Sequence, residues 1–191
     1  MIRTRVGYAG GDSNNPTYYN LGNHSETIQI EYDPTKVSYK DLLDVFWDSH
    51  LPTHPAYSQQ YASIIFYHNE EQRKLAEESK EMAEARLGHE TYTSIVPFTE
   101  FYVAEDYHQK YYLKNEHGLI TGLRMIYHDE SDITDSTAAA RFNGYVAGNG
   151  SLELLKKNLS SFGLSKTGEE LLLQIGNNRL VWSQGNSCPI N

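Results

Sequence analysis

The chain has 191 residues, 39% of them hydrophobic and 21% charged, with 15 tyrosines and a net charge of −9. That is enough apolar material for a buried core and too much for a disordered tail. No apolar run approaches the ~20 residues that cross a bilayer, and the 16 Lys and Arg form no basic stripe for a nucleic-acid backbone.

The opening Met1-Ile2-Arg3-Thr4-Arg5 lacks the apolar stretch and cleavage site of a secretory signal. One cysteine, Cys188, cannot form an internal disulfide or run a two-cysteine redox cycle by itself. Both features fit a reducing, cytoplasmic location. Residues Arg3 to Tyr8 read as a strand that ends at Gly10-Gly11 and the turn formers Asp12-Ser13-Asn14-Asn15-Pro16. Glu26 to Tyr32 alternates cleanly, with Ile28, Ile30 and Tyr32 on one face, and Asp33-Pro34 breaks it. Ser38 with Asp41 three residues on starts a helix whose Tyr39, Leu42, Leu43, Phe46 and Trp47 share a face, and Pro52 stops it. Tyr61 to Tyr67 reads as a second buried strand, followed by a charged helix that opens at Asn69 and closes at Gly88. Residues 91–103 look extended, interrupted by Pro97, and lead into Ala104-Glu105-Asp106-Tyr107-His108-Gln109.

Beyond about residue 130 the pattern becomes helical, with Thr137 to Arg141, Leu152 to Leu159 and Glu169 to Ile175 as three short helices separated by glycines. The expected organisation is a main domain over residues 1–130 and a helical extension over 131–191, packed as an arm, with Ser183 to Asn191 a mobile tail.

Several strings stand in a fixed order: Gly7-Tyr8-Ala9-Gly10-Gly11, Asn14-Asn15-Pro16-Thr17-Tyr18, His24-Ser25-Glu26, Tyr32-Asp33-Pro34, Phe46-Trp47, Gln60-Tyr61 and the Ala104 to Gln109 segment. In order and spacing they resemble peptide methionine sulfoxide reductase A. The resemblance implies an α/β (α+β) fold, a ferredoxin-like mixed sheet with packed helices. It also implies thiol-dependent reduction of the S epimer of methionine sulfoxide, in proteins or free. In that chemistry a cysteine thiolate attacks the sulfoxide sulfur, an acid protonates the oxygen and methionine leaves. A second thiol resolves the sulfenic acid, with thioredoxin or another dithiol as final reductant. No organic cofactor is implied. The eight histidines include no pair at helical ligand spacing beside further ligands, so no metal site is expected.

By the resemblance the acid is Glu26, and burial is the means by which a Glu could keep its proton near neutrality. Tyr18 and Tyr61 are the phenols that donate to the sulfoxide oxygen, a role that suits a neutral donor. Asp106 and His108 are read as support for the site. The loop before Tyr61 departs from the family pattern: it is short, it lacks the usual acidic residue before Gln60-Tyr61, and Ala62 stands where Arg is common.

The family's nucleophile lies in a Gly-Cys-Phe-Trp string at the end of a first strand, and these 191 residues contain no such string. The expectation is therefore a chain without that strand and the helix after it, inactive or impaired and weakly stable. Each large side chain lost from a core costs about 2–5 kcal/mol against a total stability of about 5–15. Cys188 has three readings: resolving thiol of a longer form, replacement nucleophile, or plain tail thiol. A non-catalytic module that binds oxidised methionine is the alternative function.

Overall fold

A computed structural model describes residues 1–185. Its contacts divide the chain into a unit built on Val6–Glu105 and a second unit that holds Ile2–Arg5 and the chain from Asp106 onward.

The first unit contains most of β1 (Arg3–Ala9), then β2 (Ser25–Glu31), α1 (Tyr39–Asp48), β3 (Ile64–Tyr67), α2 (Glu70–Leu87), β4 (Ser94–Pro97) and β5 (Phe101–Val103). The class is α+β, with the strands divided over two small sheets: β2-β1-β5, in which β1 and β5 run antiparallel, and a parallel pair of β3 and β4. Gly7 stands opposite Val103. A Cβ there would run into the Tyr102 carbonyl and the Phe101 ring, so the close approach of β5 requires glycine.

Local chemistry sets the helix ends. Ser38 and Asp41 form a reciprocal capping box at α1, Asn69 accepts from the Gln72 N–H at the start of α2, and Gly88 ends α2 at φ 69°. Leu43 and Trp47 of α1 pack with Ile65 of β3 and with Ala76 and Ala83 of α2, whose small side chains let the two helices approach. The indole N–H of Trp47 donates to Ser79 Oγ at 2.9 Å, and Ser79 donates on to the Ala76 carbonyl at 2.8 Å. The Trp47 indole and the Ser79 hydroxyl are thus buried with partners.

One expected boundary moves. The stretch beginning at Tyr61 was expected as strand, yet Gln59–Tyr61 forms a single 3-10 turn and β3 starts at Ile64. Tyr61 and Ala62 spend their N–H groups on the Ser58 and Gln59 carbonyls at 3.1 Å, so neither can enter a ladder.

The second unit is helical: α3 (Tyr111–Lys114), α4 (His117–Arg124), α5 (Glu130–Asp135), α6 (Thr137–Val146), α7 (Leu152–Asn158) and α8 (Lys166–Gly185). It has its own core, in which Leu113, Leu119, Leu123, Phe142, Leu155 and Leu172 are fully buried. Residues Ser183–Gly185, expected in a mobile tail, continue α8; residues 186–191, Cys188 among them, lie outside the described residues. The N-terminal residues are anchored here. Arg5 forms a fork onto Asp135 at 2.6 and 2.5 Å, Arg3 adds a third contact at 3.1 Å, and the Lys110 ammonium donates to the Thr4 and Thr134 carbonyls at 2.6 and 2.8 Å. Among the described residues no helix is long and apolar enough to cross a membrane.

Candidate active site

The string His24-Ser25-Glu26 sits at the start of β2, and its alternation sends successive side chains to different tasks. His24 is buried. Its Nε2 lies 2.8 Å from the Ser13 carbonyl, which can only accept, so Nε2 carries the proton and Nδ1 accepts from the Gly11 N–H at 3.1 Å. The imidazole thus pins the loop that follows β1. Ser25, also buried, donates to the Gln59 carbonyl at 2.6 Å and accepts from Gln59 Nε2 at 3.0 Å, which fixes the turn that ends in Tyr61.

Glu26 points outward and is exposed. Gln60 Nε2 donates to its Oε1 at 2.7 Å. The burial that the sequence suggested for this carboxyl is not present in the structure.

Tyr18 and Tyr61 meet. The Tyr18 phenol lies close enough to act on Tyr61, whose hydroxyl is held above the ordinary tyrosine range. The largest cause is the Tyr18 phenol beside it, followed by loss of solvent and by the charge of Glu26. Tyr61 therefore stays protonated, a donor, through the neutral range. Tyr18 is set by a tight turn in which Thr17 and Asn20 exchange backbone hydrogen bonds at 3.2 and 3.0 Å, and its ring packs edge-on against Tyr19 at 5.4 Å.

Three segments distant in sequence thus bring Glu26, Tyr18 and Tyr61 to one place, two phenolic donors beside one carboxyl group. Glu26 and Tyr61 also line a cavity of about 440 Å³ whose walls include Ile28, Ile30, Phe46 and Ile65. A neutral, polar oxygen attached to an apolar group suits such surroundings.

Asp106 and His108 fall in the second unit. Asp106 is ion-paired with Lys114 at 2.8 Å, and the His108 ring stacks on Tyr107 at 4.2 Å. Cys188 lies outside the described residues. Sequence reasoning did not single out Ser25, Gln60 and Glu105, though each belongs to a string that did stand out. Spacing reveals which strings recur together and is silent on which member supplies a hydrogen bond. Among the described residues no three His, Cys, Asp or Glu side chains converge as metal ligands would.

Comparison with known proteins gives the same family from several directions. Residues 1–137 match the model of the family described as peptide methionine sulfoxide reductase. A protein of that name from Drosophila melanogaster is 42% identical over 171 residues, which are 87% of this chain and 68% of the relative. Peptide methionine sulfoxide reductase A5 of Oryza sativa subsp. japonica is 42% identical over 153 residues, 77% of this chain and 59% of its own length. Among solved structures, reduced Mxr1 from Saccharomyces cerevisiae superposes with a TM-score of 0.55 at 31% identity, over 60% of this chain and 72% of that one. With these matches and the grouped phenols and carboxyl, this chain belongs to the peptide methionine sulfoxide reductase family.

Proposed function

We propose that the Glu26, Tyr18 and Tyr61 cluster receives the oxygen of a methionine S-sulfoxide, and that the protein serves the thiol-dependent repair of oxidised methionine in proteins. A sulfoxide oxygen leaves only once protonated, so the site needs a proton donor and neutral hydrogen-bond donors around the developing charge. Glu26 is the donor. The two phenols hold the oxygen, and Tyr61 keeps its proton at neutral pH. Substrate binding over the exposed Glu26 would exclude water and favour its protonated form.

The balanced reaction takes a thiol and the sulfoxide to a sulfenic acid and methionine; a second thiol then gives a disulfide and water. Thioredoxin or another dithiol closes the cycle, in keeping with a cytoplasmic setting. Cys188 is the one thiol in the 191 residues. The observation that carries this proposal is that Glu26, oriented by Gln60, and Tyr61, with the Tyr18 phenol beside it, stand together at an apolar cavity, since two hydroxyls next to a carboxyl have little value as packing on an exposed surface.

A second reading follows from the single cysteine: these residues bind the sulfoxide and do not reduce it. Turnover of both epimers of a methionine sulfoxide peptide with dithiothreitol, by the wild type and by Cys188→Ser, separates the two. S-epimer turnover lost in Cys188→Ser supports reduction by the chain itself. Saturable S-epimer binding with no turnover by either form supports the binding reading, and neither binding nor turnover by a folded sample contradicts both.

A further inference from the structure

Glu105 takes no part in the cluster as described, yet it touches the segment that presents Tyr18. Its Oε1 accepts the backbone N–H of Tyr18 at 3.0 Å, and its Oε2 accepts the hydroxyl of Tyr8 at 2.7 Å. Tyr8 lies in β1 and is 1% exposed, among the largest fully buried side chains. One end of Glu105 is thus fixed to a rigid part of the sheet and the other to an exposed turn.

We infer that Glu105 is a positioning residue for the sulfoxide site, holding Tyr18 at the place where its phenol meets Tyr61. The inference rests on the sulfoxide-binding reading above. Four features support it. Thr17 and Asn20 exchange the backbone bonds that give the Tyr18 turn its shape, and Glu105 ties that turn to Tyr8 of β1. The Tyr18 phenol lies beside Tyr61, whose own turn is anchored by Ser25, and Glu105 gives the Tyr18 turn a matching anchor. A carboxylate accepting a backbone N–H forms a charge-assisted bond, stronger than the neutral contacts elsewhere in this loop. Glu105 follows β5, the strand paired with β1, and its carboxylate meets the hydroxyl at the end of the long Tyr8 side chain.

The test measures affinity for a short peptide bearing methionine S-sulfoxide, with the R epimer as control, for the wild type, Tyr18→Phe, Glu105→Ala, Glu105→Gln and the double variant Tyr18→Phe/Glu105→Ala. Glu105→Ala is expected to weaken S-epimer binding about tenfold, as for a lost charge-assisted bond. Glu105→Gln should recover most of that loss: its carbonyl can accept from Tyr18 while its amide donates to the Tyr8 hydroxyl. The double variant should bind no more weakly than Tyr18→Phe alone, because Glu105 acts through Tyr18.

Losses that simply add in the double variant, or wild-type affinity in Glu105→Ala, would overturn the inference while leaving the site intact. Undiminished binding in Tyr18→Phe would instead overturn the reading of the site. Should Glu105→Ala fail to fold, Glu105→Asp keeps the charge on a shorter arm that cannot span both donors, and the same non-additive loss is expected.

Discussion

The amide of Gln60 donates to the Glu26 carboxylate at 2.7 Å, joining the turn that carries Tyr61 to the strand that carries the proposed acid. The contact sets where the carboxyl points on an otherwise open surface. Replacing Gln60 by Ala should leave stability within about 0.5 kcal/mol, as for most exposed positions. Sulfoxide affinity should fall a few-fold, roughly the net value of one hydrogen bond. Binding isotherms paired with thermal melts check both; an equal fall in affinity and stability would make Gln60 merely structural.

His24 holds the loop after β1 through the Gly11 N–H and the Ser13 carbonyl. His24→Ala leaves both backbone groups without their partner in a buried position, at a cost of about 2–4 kcal/mol in urea unfolding. The same change frees the segment that carries Tyr18. Discrimination between S and R epimers should therefore decline at temperatures where the variant is still folded.

Ser79 is the partner of the Trp47 indole in the core between α1 and α2. Ser79→Ala leaves that N–H unpaired and should cost about 1–3 kcal/mol, with no effect on sulfoxide affinity. An unchanged unfolding midpoint would contradict the packing described for this core.

Lys110 is buried, and burial lowers its pKa from 10.5 to about 8, against the favourable charge of Asp135 and together with the repulsion of Lys114 and Arg5. Between those two values the unfolded chain binds the proton that the folded chain has released. Stability contributed by this group therefore rises as pH goes from about 8 to 10.5, and the cost of burying the charge is fully present below 8. Other groups titrate in this range, so the measurement is a difference. Relative to Lys110→Met, the wild type should gain roughly 2–3 kcal/mol between pH 8 and 10.5 in urea unfolding. A flat difference would mean that the ammonium is better solvated than its burial implies.

Much of the fold was legible because it rests on local chemistry. The capping box at Ser38 and Asp41, the Asn69 cap, the Gly88 stop and the alternation of Glu26 to Glu31 each state an element within a few residues. The start of β3 was not legible, because Tyr61 heads the same run as Ile64, Ile65, Phe66 and Tyr67, while the Tyr61 and Ala62 N–H groups close a turn onto Ser58 and Gln59. The helices from Tyr111 to Asp135 were missed for a related reason: they are short, and their burial comes from a core completed by Phe142, Leu155 and Leu172 far along the chain. At the site, the strings pointed to Glu26, Tyr18 and Tyr61, which the fold brings together. The anchors Ser25, Gln60 and Glu105 depend on contacts across 34 and 87 residues, which spacing alone does not encode.

On the proposed reading, two phenols and one carboxyl form a receptor for a sulfoxide oxygen. Titration of a peptide bearing methionine S-sulfoxide, its R epimer and unoxidised methionine into the wild type and a Tyr18→Phe/Tyr61→Phe variant tests it most directly. Saturable binding of the S epimer, at least tenfold weaker binding of the other two peptides, and loss of that preference in the double variant are expected. Equal affinity for oxidised and unoxidised peptides, or a preference that survives removal of both hydroxyls, would contradict it.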